Sequence, residues 1–178
     1  MRRLLFVSTV IMLAVILCNT ASGEVRELRF GDWKLTRNIH PVDGVPVIAT
    51  YATSHYTKET RYILILKIER HSGFKNPDVY LIAACNESGF VSQLPITSPY
   101  FYYAFNYGET PKKKKGSPWK ACLVIEGEEA RQFIRELTNP KHQSVQFSVQ
   151  TAEGLLSFSI SLYGLSEVLD TYDDEFFN

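Results

Sequence analysis

Lys112-Lys113-Lys114-Lys115 stands between Pro111 and Gly116, shortly after the aromatic run Tyr100-Phe101-Tyr102-Tyr103-Ala104-Phe105-Asn106-Tyr107. Four adjacent cations repel one another and stay hydrated, so the tract reads as a loop tip. The chemistry it offers is attraction to anionic lipid headgroups or glycans; the plainer reading is a solvated loop. The aromatic run places rings on both faces of one strand, and half of them point away from a core on one side. Outward rings form a flat platform for a protein or a sugar, or else pack across strands under a loop or helix. Tyr100, Tyr102, Tyr103, Tyr107 and the four lysines therefore form one candidate binding patch.

Other residue types point away from catalysis. His40, His55, His71 and His142 are never spaced i, i+4, and none lies in a Cys/His cluster, so no zinc pattern is present. There is no G-x-S-x-G elbow and no glycine-rich phosphate loop. Glu128-Glu129 and Asp173-Asp174 read as solvated charge. Ser157, Ser159 and Ser161 alternate, as on a wet sheet face. The expectation is a non-enzymatic binding protein with no cofactor and no metal; a hydrolase assembled from distant positions is the remaining catalytic reading. Lys+Arg and Asp+Glu each number 19, so no charge excess points to nucleic acid. The expected partner is a protein or an anionic envelope surface.

The start of the chain sets the compartment. Met1-Arg2-Arg3 is basic, Leu4 to Leu17 is apolar and uncharged, and Ala21-Ser22-Gly23 supplies the small residues that a signal peptidase reads. The apolar run is shorter than the roughly 20 residues of a membrane span. The pattern predicts a signal peptide over residues 1–23, cleaved after Gly23, and a periplasmic or secreted protein. An uncleaved anchor is one alternative. A lipoprotein attached at Cys18 is another, with Leu17 where a small residue is wanted. Residues 24–178 then make one domain. Cys85 and Cys122 remain, and in an oxidising compartment an isolated pair most simply forms a disulfide. It would close a loop of about 38 residues, worth roughly 4 kcal/mol in the chain-entropy model. Two buried thiols are the alternative.

Around these residues the pattern has mostly period two. Phe30, Trp33 and Leu35 mark a first strand, with Trp33 facing the core, and Val45 to Tyr51 a second in which Pro46 forces a late start or an edge position. Tyr62 to Ile68 and Val79 to Cys85 are nearly unbroken apolar runs, as in strands buried on both faces. Phe90 to Leu94 and Tyr100 to Tyr107 follow. Trp119, Ala121, Leu123 and Ile125 share one side of the next strand. Ala130, Phe133, Ile134 and Leu137 form a single helical stripe, with Glu128 and Glu129 in the first turn and Asn139-Pro140 as the stop, predicting a helix over about 128–138. Val145 to Val149 and Leu156 to Leu162 alternate about a turn at Ala152-Glu153-Gly154, a hairpin with one wet face. Leu165, Val168 and Leu169 predict a short terminal helix, with an acidic tail fraying from about 170. Many short strands and one intervening helix argue for a mostly-β, antiparallel β-sandwich.

Three segments together resemble the invasion-associated locus B family of small exported bacterial proteins. They are Phe30-Gly31-Asp32-Trp33 leading into a strand, the strand-to-helix segment Ala121 to Leu137, and the final hairpin with Leu162-Tyr163-Gly164-Leu165-Ser166-Glu167-Val168-Leu169. The likeness is one of layout over most of the chain, with Gly31-Asp32-Trp33 as its literal motif. The family's cysteine soon after the tryptophan is absent here, where Arg37 and Asn38 stand. Its paired central cysteines are wider apart, at 85 and 122, and the aromatic and lysine segments read as insertions. The chain also resembles accessory periplasmic proteins of type VI secretion loci in its early tryptophan, central cysteine and glycine-containing final strand. Both resemblances imply an exported sandwich without catalytic residues. The first implies host-cell association or envelope function, the second a partner in a secretion apparatus.

Overall fold

The computed structural model of the chain describes residues 26–39, 46–54, 61–71, 76–87, 90–106 and 108–177. The expected leader over residues 1–23 lies outside them. The alternating segments become strands β1 (Arg26–Phe30), β2 (Trp33–Ile39), β3 (Pro46–Thr53), β4 (Tyr62–His71), β5 (Asp78–Glu87), β6 (Phe90–Gln93), β7 (Ile96–Phe105), β8 (Lys112–Lys115), β9 (Ser117–Trp119), β10 (Cys122–Ile125), β11 (Ser144–Thr151) and β12 (Gly154–Ser161). Helix α1 (Gly127–Leu137) lies between β10 and β11, and α2 (Leu165–Phe177) follows β12. Among the described residues, two antiparallel sheets form: a large one in the order β1-β2-β3-β4-β5-β10-β9, with β6 also on β5, and a small one in the order β12-β11-β7-β8. The fold is mostly β and sandwich-like, as the alternation predicts.

The core lies between the sheets. Leu64, Leu66 and Ile68 of β4, Val79 and Leu81 of β5, and Leu123 and Ile125 of β10 meet Phe101, Phe105, Val145, Phe147 and Ile160 from the small sheet. Ile63 and Ile65 on the opposite face of β4 are buried too, so the unbroken apolar run does mark a strand covered on both sides. Pro46 sits at the first position of β3, where its missing N–H costs least. Helix α1 presents Ala130, Phe133 and Leu137 inward, as its stripe predicts. Phe133 packs against Tyr103 at 5.0 Å between ring centroids and against Phe101 at 6.2 Å, both edge-on, the geometry that ring quadrupoles favour.

Two expectations change. Cys85 and Cys122 are both buried and are not joined by a disulfide. The register shows why: Cys122 lies opposite Ile82, three positions from Cys85 on β5. Side chains alternate along a strand, so the two sulfurs leave opposite faces of the large sheet and no rotamer brings them together. The sequence can place both cysteines on strands but cannot give their relative register. The second change is at the end, where α2 runs on to Phe177, through the acidic stretch expected to fray.

The first and last described elements are clasped together. Trp33 is fully buried and its Nε1 donates to the Ser161 carbonyl at 3.1 Å, linking β2 of one sheet to the end of β12 in the other. The Asp32 amide donates to the Tyr163 carbonyl at 3.2 Å. Gly164, at φ +89°, lies so close to the β1–β2 turn that a Cβ there would fall 2.1 Å from the Phe30 carbonyl oxygen. Gly108 has a similar φ of +94° with open space around it. Both Gly→Ala variants carry the strain of a left-handed conformation, about 1–3 kcal/mol. Gly164→Ala should cost at least another ~1–3 kcal/mol for the forced overlap. Urea unfolding of the two variants checks this, and equal losses would mean that the clasp is loose.

Candidate functional site

The patch expected on sequence grounds sits on β7 and β8, and the sheet divides it in two. The lysine tract is not a loop tip. It is the edge strand β8, paired with β7 in the register Tyr100↔Lys115, Phe101↔Lys114, Tyr102↔Lys113 and Tyr103↔Lys112. Pairing needs only backbone groups, and a strand at a sheet edge can keep charged side chains wet. Alternation then sends Lys113 and Lys115 outward with Tyr100 and Tyr102, and turns Lys112 and Lys114 toward α1.

The inward half is structural. Tyr103 is 5% exposed and stacks edge-on with Phe105 and Phe133. Its hydroxyl donates to Glu136 Oε2 on α1 at 3.1 Å. Burial, then the Glu136 charge and this hydrogen bond, push its titration well above the usual tyrosine range. Lys112 Nζ reaches the same carboxylate oxygen at 2.9 Å and lies 5.7 Å from the Tyr103 and Phe105 ring centroids. Lys114 Nζ lies 5.6 Å over Phe133. These three residues, expected in the patch, therefore tie the edge strand to the helix. Tyr107 lies outside the described residues.

The outward half is a continuous face. Tyr100 is 41% and Tyr102 42% exposed, and Lys113 Nζ stands 4.1 Å over the Tyr100 ring. Such a contact at an exposed site is worth about 0.5–1 kcal/mol and holds the ammonium beside the ring. The row continues across the sheet, Lys113 beside Tyr102, Tyr102 beside Ser148, and Ser148 beside Ser157. The two serine hydroxyls are 2.9 Å apart. The wet face expected of the β11–β12 hairpin thus extends the tyrosines and lysines into one polar platform across all four strands of the small sheet.

One exposed residue escapes the sequence reading. Trp119, expected to share one side of the strand with Leu123 and Ile125, is on the other side and 49% exposed. Lys120 and Ala121 form a tight turn, which makes Trp119 the cross-strand partner of Cys122 and puts it on the outer face. The signal available in the sequence is Pro118, which weakens the reading of Trp119 to Ile125 as one continuous strand. Lys120 Nζ lies 4.4 Å from the Trp119 ring centroid, and Tyr80 meets the ring edge-on at 6.1 Å.

No family model, curated protein or solved structure matches the chain. The division of the patch has a direct check in stability. Tyr103→Phe removes a buried hydroxyl bonded to a carboxylate and should cost about 1–2 kcal/mol. Lys112→Ser, which breaks a half-exposed ion pair, should cost at most about 1 kcal/mol. Lys113→Ser, which gives up only the exposed contact with Tyr100, should cost about 0.5 kcal/mol. Chemical denaturation ranks the three, and a Lys113 variant as costly as Tyr103→Phe would contradict the assignment.

Proposed function

We propose that this is an exported, non-catalytic binding protein that meets an anionic surface of the cell envelope through the outer face of its small sheet. The observation that carries the reading is the alternation along β8. Of four consecutive lysines, Lys112 and Lys114 face α1, while Lys113 and Lys115 stand in the open beside Tyr100 and Tyr102. A solvated tract of no consequence would have no reason to hold the Lys113 ammonium against the exposed Tyr100 ring, with Lys115 on the same face. Rings of this kind give contact area at little entropic cost. The ammonium groups add a long-range attraction that salt screens over about 10 Å at 0.1 M.

Export is supported by the basic start, the apolar run and the small residues up to Gly23. The resemblance to the invasion-associated locus B family supports an envelope or host-cell surface as the setting.

The test is retention on sulfated dextran beads compared with neutral dextran beads. The protein should bind only the sulfated beads and elute as salt rises. Lys113→Ser with Lys115→Ser should weaken retention sharply. Lys112→Ser with Lys114→Ser, the same change in net charge, should weaken it much less. Equal losses from the two pairs would show that net charge alone matters and that this face has no special role.

A further inference from the structure

We infer that the anionic surface is a lipid headgroup layer, and that Trp119 and Lys120 belong to the contact. This rests on the binding role proposed above and extends it around the edge of the molecule. The argument begins at Gly116, which joins β8 of the small sheet to β9 of the large one. Gly116 is buried: its amide donates to the Pro99 carbonyl at 2.8 Å, and a Cβ there would lie 3.2 Å from the Val124 carbonyl oxygen. With residue 116 pressed inward, the alternation passes from one sheet to the other without a phase change. Lys113 and Lys115 face out beside Tyr102 and Tyr100. Ser117 and Trp119 pair with Val124 and Cys122, which lie on the face of β10 opposite the core residues Leu123 and Ile125. All the odd positions from Lys113 to Trp119 thus look outward along a single edge.

That edge carries three half-exposed rings, Tyr100, Tyr102 and Trp119, and three ammonium groups, of Lys113, Lys115 and Lys120. Two of the cations are seated on rings, Lys113 on Tyr100 and Lys120 on Trp119. The combination suits the membrane–water boundary. Tryptophan and tyrosine rings, apolar with one polar end, settle at headgroup depth. Lysine stems lie along apolar surface while the ammonium reaches phosphate. Tyr80 holds the Trp119 ring from its edge, and Lys67, over Tyr80, is neutralised by its ion pair with Glu69. Tyr80 and Lys67 therefore support the strip rather than extend it.

The chain has two tryptophans, Trp33 fully buried and Trp119 half-exposed, so its own fluorescence reports on the proposed contact. Natively processed protein is mixed with vesicles of phosphatidylcholine alone, or with added phosphatidylglycerol, at low salt. With the anionic vesicles the emission should shift to the blue and iodide quenching should fall; with neutral vesicles neither should change. Trp119→Phe should abolish the response. Each lysine near an anionic leaflet adds on the order of a fivefold gain in affinity, so Lys113→Ser, Lys115→Ser and Lys120→Ser together should lose about a hundredfold by vesicle sedimentation. Iodide-resistant Trp33 emission certifies that the variants are folded. Vesicle binding that leaves Trp119 open to iodide would overturn the inference. So would an absence of vesicle binding by protein that sulfated dextran still retains, and there the binding role would stand with a glycan as the ligand.

Discussion

Strand register between β7 and β8 is the constraint on which the exposed chemistry depends. A slip of one residue exchanges the two faces of a strand. It would bury Lys113 and Lys115 against α1 and expose Lys112 and Lys114. Several contacts prevent it. Lys112 and Tyr103 meet on one carboxylate oxygen of Glu136, and Phe101, Tyr103 and Phe105 fill the core side of β7. The Gly116 amide is fixed to Pro99 at the far end of the pair. The inward half of the aromatic and lysine segments thus orients the outward half.

The same economy of contacts joins the two ends of the described fold. Trp33 reaches from the large sheet to the carbonyl of Ser161, and Gly31 and Gly164 let the first turn and the start of α2 come within backbone contact. The residues involved, Gly31-Asp32-Trp33 and Tyr163-Gly164, lie in the two segments that stand out when the sequence is read for motifs. Their spatial meeting gives those motifs a structural cause: a bulky anchor that must find a hydrogen bond when buried, and glycines where no Cβ fits.

Much of the architecture is legible in the sequence. Period-two alternation and two unbroken apolar runs mark most of the strands, though not β8; the stripe from Ala130 to Leu137 marks α1, and the serine rows of β11 and β12 announce a wet face. What was not legible was relative register. Cys85 and Cys122 each lie on an expected strand, yet the pairing that puts Cys122 opposite Ile82 follows from how β10 docks on β5, a contact between segments distant in sequence. The face taken by Trp119 is hidden in the sequence for a related reason. A two-residue turn changes which residues share a face, and the turn at Lys120 carries none of the usual glycine or asparagine signals even though Lys120 sits at φ +54°. The lysine tract shows in the sequence mainly as charge, and charge says little about backbone pairing at an edge.

The position of β8 and β9 has a consequence for survival in a crowded compartment. Both are the terminal strands of their sheets, and an unpaired strand invites a neighbouring chain to add to it, the first step toward fibrils. β8 meets an incoming strand with a row of like charges. β9 is three residues long and has Pro118 at its centre, which offers no amide hydrogen to a newcomer. The side of the molecule most available for contact is thereby protected against self-templated aggregation.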